Sequence, residues 1–173
     1  MPDEFEVLRI EPQFVIDQTE LDRRRRALLA DLHPSRQACS PAPGPTNALF
    51  AKQGEINAAY QQLNDPLTRA ELLLTRQGRS LSAAQSPELL ARIFEQRQAL
   101  EQAVSTRDVN AVSACVGAAR GRQAQLHSAL AAHFSQGAAE APRQTAEIGP
   151  LLQELRYLNK LVQRGEQELD DLE

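Results

Sequence analysis

From residue 86 to the end of the chain, apolar residues recur at spacings of three and four, a period that only helices can bury on one face. Ser86-Pro87-Glu88 supplies a cap, a proline suited to the first helical position and an acid favoured by the helix dipole. The helix they start is predicted to run to about Val104, with Leu89, Ile93, Leu100 and Val104 facing inward. A second is predicted from Asp108 to about Phe134, on the stripe Val109, Val112, Val116, Ala119, Gln123, Leu126 and Leu130. A third carries Ile148, Leu151, Leu155, Leu158, Val162, Leu169 and Leu172. Gly149-Pro150 should either begin or kink it, and residues 135–146, small and Gly-containing, are expected to be loose. Three such helices are expected to form an antiparallel bundle. Trp is absent and aromatics make up only 4% of the chain, so the core must be built from Leu, Ala, Val and Ile, which favours helix. No segment reads as a strand, and the fold class is all-α.

The first 76 residues carry their own set of helix signals. Glu4 to Arg9 reads as a short helix or turn, closed by Pro12, with Phe5 and Leu8 inward. Asp17 is an N-cap, Glu20 completes a capping box, and Ile16 and Leu21 occupy the staple positions. That helix is predicted to reach about Leu32, with Leu21, Leu28 and Leu32 on one stripe. Within it, Arg23-Arg24-Arg25-Arg26 covers every side. At most one or two of these can lie along the core, and the others form an exposed cationic face. Pro34 ends the helix, and Pro41, Pro43, Gly44 and Pro45 make residues 34–46 a loop. Leu49, Gln53, Ile56, Tyr60 and Leu63 mark a second helix, expected to pair with the first as an antiparallel hairpin. Asp65 caps and Pro66 opens a short helix to Arg76, which Gly78 stops. The expected organisation is a domain over 1–76, a linker over 77–86 and a second domain over 87–173.

Several function classes lose support. The net charge of −4 argues against a whole-chain nucleic-acid binder, and the arginine run lacks interleaved aromatics for stacking. Cys39 and Cys115, with His127 and His133, show no ligand spacing, so no metal site is expected. There is no Ser–His–acid set and no Gly-rich phosphate loop, so no catalytic residue and no cofactor is expected, and the chain does not read as an enzyme. No apolar run approaches the ~20 residues of a membrane span. Asp3, Glu4, Glu6 and Glu11 do not suit a signal peptide, and a reducing cytoplasm is the expected location.

Two surfaces stand out from helix geometry, at about 100° per residue. Leu90 and Phe94 lie roughly 70–110° from the centre of their helix's inward face. A large apolar pair off the core direction marks an interface. On the last helix, Tyr157 points roughly 130° from the direction set by Leu151, Leu155, Leu158 and Val162. Lys160 and Arg164 lie near it and Arg156 on its other side, and an exposed tyrosine among cations suits an interface hot spot.

A basic helix, a His33-Pro34 turn, a second helix and a short return helix are the layout of a J-domain. More specifically, Glu55 to Leu74, with Asn64-Asp65-Pro66-Leu67 and Arg69-Ala70-Glu71-Leu72-Leu73-Leu74, resembles the stretch typical of HscB, the J-type co-chaperone of iron–sulfur cluster assembly. Leu155-Arg156-Tyr157-Leu158-Asn159-Lys160-Leu161 resembles that family's last helix, and the similarity spans nearly the whole chain. The resemblance implies an N-terminal J-domain hairpin and a C-terminal three-helix bundle (the family's scaffold-binding oligomerisation domain) in an L-shaped arrangement. It implies a protein that binds the scaffold IscU, engages a DnaK-type ATPase chaperone such as HscA and stimulates ATP hydrolysis, with no cofactor of its own. Chaperone contacts are then expected from Arg23, Arg24, Arg25, Arg26, His33, Pro34 and Ser35. Scaffold contacts are expected from Leu90, Phe94, Glu95, Gln98, Arg156 and Tyr157. Ser35 stands where the family's His-Pro-Asp signature has aspartate, and a neutral hydroxyl cannot make the charge-assisted contact of a carboxylate. A degenerate J-protein that binds scaffold without stimulating the ATPase is therefore the alternative, and a basic-patch nucleic-acid module is the third reading.

Overall fold

The computed structural model describes residues 3–32, 46–79, 86–135 and 141–172, and every regular element among them is a helix. Seven helices are described: α1 (Glu4–Leu8), α2 (Gln18–Asp31), α3 (Thr46–Asn64), α4 (Pro66–Arg76), α5 (Pro87–Ser105), α6 (Val109–Ser135) and α7 (Ala141–Leu172). The chain divides into two compact units, Met1–Leu73 and Leu74–Glu173. His33, Pro34, Ser35 and Cys39, most of the expected loop, and residues 80–85 of the expected linker lie outside the described residues.

In the first unit, α2 and α3 form an antiparallel hairpin. Gln18 bonds to Asn64, Asp22 to Tyr60 and Arg25 to Asn57, so numbers rise on one helix as they fall on the other. The core holds Phe5, Leu8, Phe14, Leu21, Ile56, Ala59, Leu63, Ala70 and Leu73. Leu21 is fully buried, but Leu28 and Leu32, expected on the same stripe, are only half-buried. α1 ends earlier than Pro12 would require. Arg9 takes a left-handed backbone (φ 55°), and the Arg9 and Ile10 N–H groups donate to the carbonyls of Glu6 and Phe5, satisfying the last turn. The same pairing closes α4, where Gly78 (φ 67°) donates to Thr75 and Arg79 to Leu74. Asp65 caps α4 by accepting from the Leu67 and Thr68 N–H groups and the Thr68 hydroxyl. Arg69 is buried with its guanidinium over the Phe14 ring at 5.5 Å, and burial pushes its pKa down.

In the second unit, α6 runs antiparallel to its neighbours. Arg122 pairs with Glu154 and Arg120 with Glu166, while Gln123 bonds to Asn159. Between α5 and α7 the pairs Arg92–Glu154, Ile93–Tyr157 and Glu101–Arg164 rise together, so these two helices are parallel. Leu89, Leu100, Ala103, Val112, Val116, Ala119, Leu126, Leu130, Ile148, Leu152, Leu155, Leu158, Leu161 and Val162 fill the centre. Four expectations shift. Ile93 and Val104 are half-buried, because Ala103 takes the inward position on α5. Val109, in the first turn of α6, is exposed, and Leu152 displaces the half-buried Leu151 from the core. α7 begins at Ala141 and continues through Pro150, so residues 141–146 are helical where looseness was expected.

The α6–α7 crossing is close at Gly165. A Cβ there would lie well inside van der Waals distance of Val116 Cγ2 and against Leu100 Cδ1, so glycine sets the helix approach.

Candidate functional site

Two surfaces, one on each unit, carry the residues singled out by sequence. On α2, Asp17 accepts from the Thr19 N–H and starts the helix. The second half of the expected capping box is put to other use: the Glu20 carboxylate accepts from Arg23 Nε and Nη2, both at 2.7 Å, and from Arg24 Nε at 2.6 Å. These bonds, Arg23's first and Arg24's second, hold the Glu20 carboxyl at about 2, far below its ordinary 4.5. Arg25 turns toward α3, donating to Asn57 at 3.0 Å and sitting over the Tyr60 ring at 4.6 Å. Tyr60 in turn donates to Asp22 at 2.6 Å, which pushes its own pKa up. Arg26 is exposed and donates through Nε to the Asp22 carbonyl. The four arginines thus divide: Arg23 and Arg26 are exposed, while Arg24 and Arg25 are half-buried. The turn that would continue this face, His33-Pro34-Ser35, lies outside the described residues.

On the second unit, Leu90 is 46% exposed and Phe94 67%, one turn apart on α5. Glu95 and Gln98 are exposed on the same helix, and Arg156 and Lys160 are exposed on α7. Tyr157 departs from expectation. It is half-buried, and its hydroxyl donates to the Ile93 carbonyl at 2.9 Å, tying α7 to the α5 turn that carries Leu90 and Phe94. The reason is the parallel α5–α7 packing, which fills the flank of α7 that solvent was expected to cover. Burial pushes the Tyr157 hydroxyl pKa up. Beside it, Glu101 accepts from Arg97 at 2.8 Å and pairs with Arg164 at 3.6 Å, a charged ladder along the same seam.

Beneath this surface lies an ionic junction the sequence reading missed. Glu154 is only 5% exposed. It accepts from Arg122 Nε at 2.7 Å and Nη2 at 3.0 Å, and from Arg92 Nη1 at 3.1 Å, so one carboxylate joins all three helices. Arg122's hydrogen bond outweighs the cost of burial and lowers the carboxyl's pKa. A signal existed: three residues after Leu151 and four before Leu158, Glu154 falls on the inward stripe of its helix, a position where an acid needs a partner.

Among the described residues, no group of three His, Cys, Asp or Glu side chains could hold a metal ion, and no helix is long and apolar enough to cross a membrane. Cys115 is a free, half-buried thiol. The described part of the α2 surface presents charge, and the α5 surface presents exposed apolar area beside charged residues.

The model of the HSCB C-terminal oligomerisation domain matches residues 85–164. The co-chaperone protein HscB homolog of Burkholderia thailandensis is 35% identical over 170 residues, covering 88% of this chain and 95% of the relative. The chain belongs to the HscB co-chaperone family. The HscB homolog of Burkholderia multivorans is 32% identical over 87% of this chain and 94% of its own length. Among solved structures, chaperone HscB from Vibrio cholerae matches with a TM-score of 0.80 and 27% identity, over 99% of this chain and 100% of that one. Human co-chaperone HscB also reaches a TM-score of 0.80, at 19% identity over 96% of this chain and 82% of that one, which shows the shared fold. The first unit is thus the J-domain hairpin of an HscB fold and the second its three-helix bundle.

Proposed function

We propose that this HscB-family chain is an adaptor that carries an IscU-type iron–sulfur scaffold on its C-terminal bundle and presents it to a DnaK- or HscA-type ATPase chaperone through its J-domain. The observation that supports it best is the pair Leu90 and Phe94, large apolar side chains left exposed on a helix whose inward face is otherwise filled. Glu95, Gln98 and Arg156 supply a polar rim, the usual surround of an apolar interface centre. Tyr157 contributes by fixing the α5 turn through its hydroxyl. On α2, exposed Arg23 and Arg26 suit an acidic partner; His33, Pro34 and Ser35, which follow α2 in sequence, are assigned to the same contact by the family resemblance. Function is exercised by docking, with ATP hydrolysis performed by the chaperone.

Calorimetry of the full chain with scaffold tests the bundle surface. Leu90→Ala with Phe94→Ala should weaken binding at least about tenfold, the effect of losing an apolar anchor. Both side chains are exposed, so helicity should be unchanged. Undiminished affinity in the double variant rejects this surface. Ser35 favours a second reading, in which the scaffold is bound but the ATPase is left unstimulated, because a partner's guanidinium would meet a hydroxyl in place of a carboxylate.

A further inference from the structure

The cationic face of α2 contains its own carboxylate. Glu20 lies three and four residues before Arg23 and Arg24, the two offsets from which helical side chains meet. Its Oε1 and Oε2 take three guanidinium N–H groups, two from Arg23 and one from Arg24. Two guanidinium charges against one carboxylate leave this triad at +1 where the bare arginines would present +2. Arg25 is turned inward onto Asn57 and Tyr60. Arg26 is different: its Nε bonds to a backbone carbonyl, which takes none of its charge. So Glu20 offsets one of the four charges in the run, and the charge of Arg25, though not neutralised, is directed toward α3.

We infer that Glu20 is an internal competitor for the docking site, occupying the donors of Arg23 and Arg24 that an acidic partner surface would otherwise engage. The inference rests on the reading of α2 as the face that meets the ATPase chaperone. An incoming carboxylate that engages the fork of Arg23 must exchange with Glu20, because Arg23 Nε and Nη2 are already filled in the geometry that a carboxylate prefers, and the Nε of Arg24 is taken as well. The competitor stays ionised at neutral pH, since the same arginines hold its carboxyl at about 2. The device lowers the long-range attraction that steers a charged partner and makes productive contact depend on exchange at close range. It biases the chain against loosely acidic surfaces and toward one that brings carboxylates to both arginines together. Arg26 is left as the charge that guides first encounter.

The test is the association rate of the full chain with a DnaK-type ATPase chaperone, measured at low and high salt for the unmodified protein, Glu20→Gln, and Arg26→Ala. Glutamine keeps the shape of Glu20 and suits the third position of a helix as well as glutamate does. Circular dichroism should therefore show α2 intact. Glu20→Gln should raise the association rate about 3- to 10-fold at about 20 mM salt, because steering by one added unit of net charge is strong when screening is weak. At about 0.5 M salt the advantage should fall below about twofold. Arg26→Ala should slow association. If Arg26→Ala slows it and Glu20→Gln leaves it unchanged or slower, α2 is the docking face but Glu20 organises its arginines, and the competitor role is overturned. If both variants associate as the unmodified protein does, the docking face itself is misplaced and both readings fall.

Discussion

Replacing Arg122 by alanine probes the charge at the centre of the bundle. Glu154 is 5% exposed, and two of its three hydrogen bonds come from Arg122. Without them the carboxylate remains buried, held by Arg92 alone at 3.1 Å. Breaking a buried pair in this way costs about 3–5 kcal/mol when the remaining charge is wholly uncompensated. Arg92 persists, and the Arg122 side chain is 35% exposed, so water already screens part of the pair. The expected loss is about 2 kcal/mol. The opposite truncation should be milder. In Glu154→Leu, Arg92 and Arg122 can turn their charged ends to water while a leucine fills the core position, and the loss should stay below about 1 kcal/mol. Urea unfolding of the full chain, followed by circular dichroism, reads both values. The pH dependence has a definite sign. Glu154 is held below its ordinary 4.5, so its stabilising contribution is complete above that value and is lost as pH falls through the lower folded value. The deficit of Arg122→Ala should accordingly narrow in acid, where neither protein retains the charge. A Glu154→Leu variant less stable than Arg122→Ala, or a deficit that does not shrink in acid, would refute this reasoning.

Gly165→Ala should destabilise the bundle by about 1–3 kcal/mol despite alanine's better helix propensity, because the new methyl meets Val116. Adding Val116→Ala should recover part of the loss, and an unaffected melting temperature would mean that the α6–α7 crossing has room to spare. Carboxyl NMR of Glu20 should give a midpoint at about 2; since the shift is downward, the clamp on Arg23 and Arg24 is complete above 4.5 and disappears as pH falls through about 2. A midpoint near 4.5 would show that the clamp does not form in solution. Tyr157→Phe should cost about 0.5–1.5 kcal/mol, the net worth of its hydrogen bond to Ile93, with ring burial retained. Equal stability of the two proteins would contradict the role assigned to that hydroxyl.

The helices were readable because their signals are local. Ser86, Asp17 and Asp65 each cap the helix they precede, Gly78 adopts the left-handed conformation that ends α4, and the stripe from Val112 to Leu130 is buried at every predicted position but the half-buried Gln123. The exposure of Leu90 and Phe94 was legible for the same reason, since one helix's geometry sets it. Tyr157 was not, because its surroundings depend on which flank of α7 the parallel α5 covers, a fact about two helices far apart in sequence. Glu154 and its arginines belong to the same class: their pairing spans 32 and 62 residues. Glu20 failed differently. Its spacing suits both a capping box and an ion pair with Arg23 or Arg24, and two guanidinium groups outbid one backbone N–H. The short helix α1 closes on Arg9, a non-glycine residue in a left-handed conformation, which residue preference alone does not reveal.

ATP turnover by the partner chaperone, measured with scaffold present, tests the adaptor role most directly. Adding the unmodified chain should raise turnover, and Ser35→Asp should raise it further by restoring a charge-assisted contact. Turnover that stays at its basal rate with the unmodified chain and rises only with Ser35→Asp would contradict it, leaving a scaffold-binding protein whose J-domain is silent.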